Sequence, residues 1–283
     1  MKGDFPMPDI RPLRARSDVF QRYETLRRNR EKRTHAGLYF LEGVHPVEQA
    51  VAAGEDFVCM GYDGDKRLSG WAQDMIAKAA PEALHPMPTD MLRELSDREN
   101  PCELVCLVRQ RTDLKERLRR AVSAAPNPLL VLCDRPNTPG NLGTILRSAD
   151  AFGACGVMTC GHSADFYDPQ CIRASIGTLF HVPFCAFGSV EETLSFLNSL
   201  PVRPKIVGTS AHGTAGLHEA DLSGPVVLIV GNETFGMSRA WKESCDELLR
   251  IPIYGAASSL NVGCAASICL YEIARQRHFD GHR

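Results

Sequence analysis

Three stretches of this 283-residue chain place polar side chains and glycines where apolar runs end, and these residues could carry chemistry. They are NTPGNLGTILRSADAFG (137–153), VVLIVGNETFGMS (226–238) and IPIYGAASSLNVGCAASICLYE (251–272). The apolar run before the first stretch ends in CDRPNTPGNLG, which lacks the G-x-G-x-x-G turn of an ordinary dinucleotide fold. The glycine-rich turns instead follow Val230 and Ile253. Ligands of open parallel sheets bind beyond the carboxyl ends of strands, so a pocket is predicted in the carboxyl-terminal third.

The elements that must position these stretches form a regular β-α alternation from Leu129 onward. Strands are predicted over Leu129–Cys133, Val157–Cys160, Lys205–Thr209, Val226–Val230 and Leu249–Ile253. Helices are predicted over Leu142–Phe152, Pro169–Phe180, Ser189–Leu197 (opened by an S-x-x-E capping box), Arg239–Cys245 and Val262–Gln276. Apolar strands that alternate with helices predict an α/β fold whose parallel sheet is covered on both faces.

A smaller α/β unit is predicted upstream of that alternation. It begins with a basic amphipathic helix over 18–34 and continues with strands at Leu38–Leu41, Phe57–Tyr62 and Glu103–Val108. Helices are predicted from Pro46 to Ala53, over Trp71–Ala80 and over Asp90–Leu95. The expected division is a tail over 1–17, a small domain over 18–112, a linker over 113–128 and a large domain over 129–283.

Two basic segments stand out in a chain whose net charge is −2. Residues 1–34 hold ten Lys and Arg against five acids, and residues 109–120 hold six against two, so the remainder is acidic. The densest run comprises Arg27, Arg28, Arg30, Lys32 and Arg33. Such segments indicate local contact with a polyanion, and these five residues are predicted to bind RNA. A solvated helix face is the alternative interpretation.

Composition excludes several classes of protein. The eleven cysteines contain no C-x-x-C pair and most lie in apolar runs, which favours reduced thiols in a cytosolic protein over a disulfide or zinc framework. The nine histidines show no metal-ligand spacing, so no metal is expected. No apolar stretch approaches the ~20 residues of a membrane helix, and no apolar block follows the basic start as in a signal peptide.

The three polar stretches together resemble the three motifs of the SpoU family, the RNA ribose 2′-O-methyltransferases of the SPOUT superfamily. IRASIGTLFHVPF (172–184) is similar to the family segment after the second strand. YFLEGVHPVEQAV (39–51) and ELSDRENP (94–101) resemble its substrate-binding domain, which is related to a small RNA-binding ribosomal protein. The resemblance covers about residues 20–277.

This resemblance implies a trefoil-knotted SPOUT methyltransferase domain, S-adenosylmethionine as cofactor and a homodimer formed through the carboxyl-terminal domain. Gly231, Ile251 and Leu260 match the family's cofactor-binding positions, and Thr209 is a further candidate. The positions that match the catalytic motifs are Asn141, Arg147, Glu233, Ser259 and Asn261.

Ordinary structural roles are the alternatives for these polar residues. Arg147 could form an ion pair with Asp150, and Asn141 and Ser259 could cap helices. Glu233 could be the partner of a helix amino terminus.

Three residues depart from the family pattern. Thr234 and Phe235 stand where the family often has Gly or a basic residue, and Gly263 stands where it often has Ser. These departures concern the shape of the pocket and the choice of substrate.

The implied reaction moves a methyl group from a sulfonium to a ribose hydroxyl, whose proton must leave. Family proposals make the arginine the base, although a guanidinium has a pKa above ~12. The alternative has Arg147 hold a phosphate and stabilise developing alkoxide charge. Ribosomal RNA is favoured over transfer RNA as substrate. The rival hypotheses are a non-catalytic RNA-binding or ribosome-assembly protein on the same fold and, less favoured, a protein methyltransferase.

Overall fold

The computed structural model describes residues 8–96 and 100–279. Its strands are β1 (Asp9–Ile10), β2 (Leu38–Glu42), β3 (Phe57–Asp63), β4 (Ala83–Met87), β5 (Leu104–Arg109), β6 (Leu129–Asp134), β7 (Gly156–Cys160), β8 (Phe184–Phe187), β9 (Lys205–Thr209), β10 (Ala215–Gly216), β11 (Val226–Val230) and β12 (Glu247–Arg250). Its helices are α1 (Asp18–Arg28), α2 (Arg30–Ala36), α3 (Val44–Ala52), α4 (Gly70–Ala79), α5 (Thr89–Glu94), α6 (Leu114–Ala124), α7 (Pro139–Ala151), α8 (Pro169–Ala174), α9 (Val190–Asn198), α10 (Arg239–Ser244) and α11 (Val262–Gln276). Part of the ELSDRENP motif, residues 97–99, and the first seven residues of the predicted tail lie outside the described residues.

Contacts divide the chain into two units. The first comprises the described residues up to Thr112 together with Tyr167–Phe180, and the second comprises Asp113–Phe166 and the described residues from His181 onward. None of the helices in the described ranges has the length and apolar content needed to cross a bilayer.

The first unit is built on a five-stranded mixed sheet. The strand order is β1-β4-β3-β5-β2, in which β5 runs antiparallel to both β2 and β3. Apolar side chains of α1, including Phe20, Tyr23 and Leu26, are buried with those of the sheet. The helix predicted over 18–34 is two helices, because Asn29 adopts an extended conformation and its side chain caps α2 by accepting from the Lys32 amide at 3.0 Å.

Residues 167–180 form part of the first unit although they lie between β7 and β8 in the chain. The Tyr167 ring stacks on Tyr39 with centroids 4.6 Å apart, and the Tyr167 hydroxyl accepts from the Arg111 amide at 3.1 Å. The helix predicted over 169–180 ends at Ala174 and gives way to a short 3₁₀ turn at Thr178–Phe180. The break falls at Ile176 and Gly177, whose φ angles of 50° and 89° are left-handed.

The second unit contains a seven-stranded sheet that is parallel throughout. The strand order is β10-β12-β9-β11-β6-β7-β8, and Leu129 pairs with Val226 at the centre of the sheet. Side chains on both faces of its strands β6, β7 and β11 are buried, as expected for apolar strands of this kind. The segment predicted to be a linker mostly forms α6, whose Leu118 and Val122 are buried in the core of this unit.

Two helices of the second unit, α7 and α11, pack against each other. The hydroxyls of Ser148 and Ser267 lie 2.7 Å apart where the helices meet. A Cβ added to Gly263 would lie 3.0 Å from the Thr144 side chain, so a glycine suits this close approach. The structure thereby gives a packing reason for Gly263, one of the three departures from the family pattern.

Candidate active site at the carboxyl edge of the parallel sheet

The predicted catalytic and cofactor positions follow four adjacent strands of the second unit. Strands β12, β9, β11 and β6 are neighbours and run in the same direction, so the segments that follow them start from one edge of the sheet. From β6 the chain continues through β7 and β8 on one side, whereas β9, β11 and β12 lie on the other. Such a reversal of strand order is where parallel α/β folds bind their ligands.

A chain of hydrogen bonds joins one residue from each of the three polar stretches. The Asn141 side-chain amide donates to Glu233 Oε1 at 3.1 Å, and the Asn261 amide donates to Asn141 Oδ1 at 3.1 Å. Asn141 lies in the first turn of α7, Glu233 in the turn after β11, and Asn261 at the amino terminus of α11. The fold therefore brings together three of the five predicted catalytic residues.

Glu233 also holds the amino terminus of α7. Its two carboxylate oxygens accept from the backbone amides of Asn137 at 3.0 Å and Thr138 at 3.1 Å. Burial raises the pKa of Glu233, but the hydrogen bonds from Asn137, Asn141 and Thr138 outweigh it, and the pKa lies below its usual value. Glu233 is thus the helix-terminus partner that was considered as its alternative role, and it also orients Asn141.

The turn that carries Glu233 is tightly braced. The backbones of Asn232 and Gly236 exchange two hydrogen bonds of 3.0 Å, and Asn232 Oδ1 accepts from the Thr234 and Phe235 amides. A Cβ on Gly231 would lie 2.3 Å from the Met237 nitrogen, closer than real Cβ atoms come. The predicted cofactor position Gly231 must therefore be glycine for the turn to close.

Two charged residues that were not predicted support the same turn. Asp134 is buried at the end of β6, where its carboxylate accepts from the Ser238 amide at 2.6 Å and from Arg135 Nε at 3.0 Å. The Arg135 carbonyl accepts from the Asn232 side chain at 2.7 Å, and its φ of 51° is left-handed. The signal for this pair was an acid and a base directly after the apolar run LLVLC.

Arg147 lies on the same helix as Asn141, and its side chain is exposed. Among the described residues it forms no ion pair and no side-chain hydrogen bond, so the alternative pairing with Asp150 is not formed. The neighbouring Ser148 ties this part of α7 to Ser267 of α11. Arg147 is thus a charged group on a fixed helix, with its donors available.

Residues 251–261 form an exposed loop between β12 and α11. Within the described part of the chain, residues 252–260 make no hydrogen bonds, so Ser259 does not cap α11. The Leu260 side chain is 38% exposed. Asn261 caps α11 instead, and its Oδ1 accepts from the Gly263 amide at 2.9 Å and the Cys264 amide at 3.3 Å. Ile251 lies half-buried at the start of this loop.

A cofactor held mainly by backbone contacts would fit the carboxyl edge of the seven-stranded sheet. The loop offers free backbone donors and acceptors, and Gly231 keeps side-chain bulk out of the neighbouring turn. Thr209 lies half-buried at the end of β9, and its hydroxyl donates to the Ile229 carbonyl at 3.1 Å. That hydroxyl retains its acceptor capacity.

The five residues predicted to bind RNA divide into two sets. Arg27 and Arg33 are 8% and 1% exposed, so the prediction is wrong for these two. Arg33 donates to the carbonyls of Leu26 and Arg27 and pairs with Asp168 at 3.4 Å. Arg27 at the end of α1 donates to the Glu94 carbonyl at 3.1 Å, so both buried guanidiniums satisfy backbone carbonyls. Arg28, Arg30 and Lys32 are exposed.

All eleven cysteines are free thiols, and Cys264 is the exposed one. Burial raises the pKa of Cys185 and of Cys245 to about 11 and that of Cys269 to about 12. Thiols with such pKa values remain protonated at neutral pH and are poor nucleophiles. These three buried thiols are therefore not candidate nucleophiles.

Comparison with known proteins agrees with this arrangement. Residues 128–271 match the model of the SpoU rRNA Methylase family, and residues 17–106 match the SpoU L30e-like domain. The 23S rRNA (uridine(2479)-2′-O)-methyltransferase of Streptomyces viridochromogenes is 39% identical over 274 residues, which cover 95% of this chain and 94% of that protein. The 23S rRNA (guanosine-2′-O-)-methyltransferase RlmB of Haemophilus influenzae is 31% identical, over 83% of this chain and 96% of that protein.

Solved structures show the same architecture. The crystal structure of the SpoU methyltransferase AviRb from Streptomyces viridochromogenes with AdoMet has a TM-score of 0.86 at 39% identity, covering 94% of this chain and all of that one. An AdoMet-bound rRNA methyltransferase from Sinorhizobium meliloti has a TM-score of 0.82 at 26% identity, covering 94% of this chain and 98% of that one.

Proposed function

Given that this chain belongs to the SpoU rRNA methylase family, we propose that Arg147 and the Glu233–Asn141–Asn261 hydrogen-bonded chain form the active site through which it methylates ribosomal RNA. The protein is an S-adenosylmethionine-dependent RNA ribose 2′-O-methyltransferase. It has the parallel-sheet α/β fold of the SPOUT methyltransferases and a small amino-terminal α/β domain, and the trefoil knot that the family resemblance implies is proposed for its second unit.

The observation that carries this proposal is the convergence of the three motifs. Asn141 donates to Glu233 and accepts from Asn261, so the starts of α7 and α11 are tied to the turn after β11. This chain fixes α7, and α7 carries Arg147 two turns further on. Fixed placement of a charged group supplies much of the acceleration in a reaction that depends on alignment.

Arg147 is proposed to bind the phosphate next to the target ribose and to stabilise the charge that develops on the 2′-oxygen. A guanidinium stays charged in protein sites and offers several donors in one plane. No acidic partner among the described residues occupies those donors. The cofactor supplies the electrophilic methyl group when it is bound.

Glu233 and Asn141 are proposed to act as positioning residues. The carboxylate holds the backbone at the start of α7 and the amide of Asn141. Ser259 lies two residues before the α11 cap Asn261, in the exposed loop, and is proposed to contact the RNA there. The cofactor is proposed to be held by Gly231, Ile251 and Leu260, with Thr209 at the neighbouring strand end.

The RNA substrate is proposed to be ribosomal. The relatives from Streptomyces viridochromogenes and Haemophilus influenzae are both named as 23S rRNA methyltransferases. The exposed cations Arg28, Arg30 and Lys32 lie in the first unit, which matches the L30e-like domain, and are proposed to contact RNA phosphates. The proposed location is the cytoplasm, in keeping with eleven free thiols.

The protein is also proposed to be a homodimer formed through the second unit. Ile268 and Tyr271 of α11 are 40% and 51% exposed, and Cys264 lies one turn before Ile268 and is exposed as well. Apolar residues at this spacing lie on one face of a helix. A second copy of the chain that covers this face would bury it.

The test is methyl transfer from labelled S-adenosylmethionine to protein-free 23S rRNA transcripts, followed by mapping of the modified nucleotide. Transfer to a ribose 2′-hydroxyl is expected, and rRNA from a deletion strain should lack the same modification. Transfer to no RNA at all would refute the catalytic site and favour a non-catalytic RNA-binding protein on the same fold. Transfer to transfer RNA alone would refute the ribosomal substrate.

A further inference from the structure

Phe235 presents an aromatic ring to solvent two residues after the positioning residue Glu233. Its side chain is 75% exposed, whereas phenylalanine is among the residues most often buried in folded proteins. It forms no ring contact with any described residue. Phe235 is also one of the departures from the family pattern, which often has Gly or a basic residue at Thr234 and Phe235.

The turn fixes the backbone of Phe235 before any ligand binds. The Phe235 amide donates to Asn232 Oδ1 at 3.1 Å, and the two hydrogen bonds between Asn232 and Gly236 close the turn around it. Asn232 is itself buried, and its side-chain amide is bound to the Arg135 carbonyl at 2.7 Å. Because the backbone is already fixed, only the two side-chain torsions of Phe235 remain to be ordered when a ligand binds.

We propose that Phe235 is a stacking platform for a nucleobase of the RNA substrate, either the base of the methylated nucleotide or one next to it. The inference rests on the proposed function, and it adds a residue that fixes the base while Arg147 holds the phosphate.

The chemistry of RNA favours a base as the ligand of this ring. The enzyme can methylate a ribose only if that nucleotide is accessible. Accessible bases of single-stranded RNA are unstacked and bind to aromatic side chains. The same turn carries Glu233, which is bound to the start of α7 and to Asn141, so Phe235 belongs to a turn of the proposed active site. Because every base has a π-face, Phe235 contributes to affinity for any base and does not select one.

The experiment compares the full-length wild type with Phe235→Ala, Phe235→Leu and Phe235→Trp. The probe is a 23S rRNA transcript that the wild type methylates, and its affinity is measured by fluorescence anisotropy at fixed salt. Val202→Ala is the matched control, since Val202 is a 43% exposed apolar side chain elsewhere in the same unit. Calorimetric titration of S-adenosylmethionine and sedimentation are run on every variant.

Loss of one stacked base is expected to weaken RNA binding by about 5- to 150-fold in Phe235→Ala. Phe235→Leu should be nearly as weak, because it keeps the apolar surface but has no π-face. Phe235→Trp should bind like the wild type and show RNA-dependent fluorescence quenching beyond that of the wild type. The KM for RNA should rise while kcat at saturating RNA changes by less than about 3-fold.

Three outcomes would overturn the inference. One is a Phe235→Ala protein that binds and methylates RNA like the Val202→Ala control. Another is a loss of S-adenosylmethionine affinity, which would place Phe235 in the cofactor pocket, and the third is a loss of dimerisation, which would place it in a subunit contact. A wild type that methylates no RNA would instead refute the proposed function, and the two failures are therefore distinguishable.

Discussion

Arg147 and Glu233 are two oppositely charged members of the predicted catalytic set, and their surroundings differ. Glu233 is satisfied by three donors from the start of α7, whereas Arg147 has no partner among the described residues. A satisfied carboxylate stabilises the fold around it, and an unpaired guanidinium is available to a ligand. Replacement of Arg147 is therefore expected to lower methyl transfer, and replacement of Glu233 is expected to lower the stability of the fold.

Arg147→Ala is expected to reduce methyl transfer by ~10²–10³-fold or more, because one charge-stabilising donor set is removed from the reacting centre. Arg147→Lys should be nearly as impaired, since an ammonium does not reproduce the planar fork of donors. Single-turnover methylation measures the effect, and calorimetry should show unchanged S-adenosylmethionine affinity.

Arg203→Ala is the control for the two Arg147 variants, because Arg203 is exposed in the same unit and lies outside the three motifs. Normal turnover by Arg147→Lys, or loss of cofactor binding by Arg147→Ala, would show that the assigned role is wrong.

Glu233→Gln is expected to lower stability in a pH-dependent way. The pKa of Glu233 is lower in the folded protein than in the unfolded chain, so its contribution is fully present above the ordinary Glu pKa of ~4.3. The contribution is lost as the pH falls through the lowered folded value. With allowance for solvent screening of this half-exposed group, a loss of about 1 kcal/mol is expected at pH 7.

The measurement is the difference in urea midpoint between wild type and Glu233→Gln at pH 7, 5, 4 and 3. The difference should shrink toward zero at the lowest pH. Glu243→Gln is the control, because Glu243 forms an exposed pair with Arg239 in which little stability is expected to reside. A difference that stays constant with pH would contradict the electrostatic explanation.

The helix pair α1–α2 separates structural from exposed cations within one basic run. Arg27 and Arg33 turn into the first unit, and Arg28, Arg30 and Lys32 remain at the surface. Composition could predict that the run is basic, but only the break at Asn29 decides which side chains of α2 face inward. Two cations of the run are therefore buried in the first unit, and the other three are accessible to solvent.

Replacing Arg28, Arg30 and Lys32 together by alanine is expected to weaken RNA binding and to lower the slope of log K against log salt by up to about 2. Each phosphate contact to single-stranded RNA contributes ~0.7 to that slope. The measurement is RNA affinity across a salt series, and the melting temperature should change little.

Arg33→Ala is the contrasting variant. It removes donors from two carbonyls and leaves Asp168 without this partner, so a loss of about 3 kcal/mol of stability is expected. If the triple variant kept the wild-type salt slope, the exposed run would have no role in RNA binding.

The strong periodic elements of this protein could be predicted from the sequence. β9, β11 and α11 have the predicted bounds, because each is an uninterrupted apolar or amphipathic run. Strand β4 was missed, since His85 and Pro86 inside ALHPM are typical of a turn. β8 was missed because it is only four residues long and directly follows Pro183.

The residues of the candidate site could be predicted from the sequence, but the hydrogen bonds between them could not. The motifs identified Asn141, Glu233 and Asn261, yet nothing in their spacing showed that Asn141 is bound to both of the others. Asp134 and Arg135 were missed because a charged pair after a strand is common and gains meaning only from the turn that it supports. Contacts between distant parts of the chain are what local patterns cannot supply.

The proposed assembly of the protein predicts the effect of a charge on α11. Ile268→Glu is expected to weaken self-association by at least about 100-fold, because it buries an unpaired charge in the subunit contact. Sedimentation at micromolar concentration measures the effect, with Val202→Glu as the control. A wild type that is a monomer and fully active at these concentrations would contradict the dimer.

The chain passes between its two units three times, after Thr112, after Phe166 and after Phe180. Residues 167–180 accordingly bring Cys171, Ile172 and Phe180, all buried, into a unit whose other residues come from the amino-terminal part of the chain. The first unit is thus not a contiguous module in the gene. Recombination at a single point near Thr112 would join a foreign amino-terminal half to an unmatched 167–180 segment. A viable chimera, natural or engineered, must inherit both pieces from one parent.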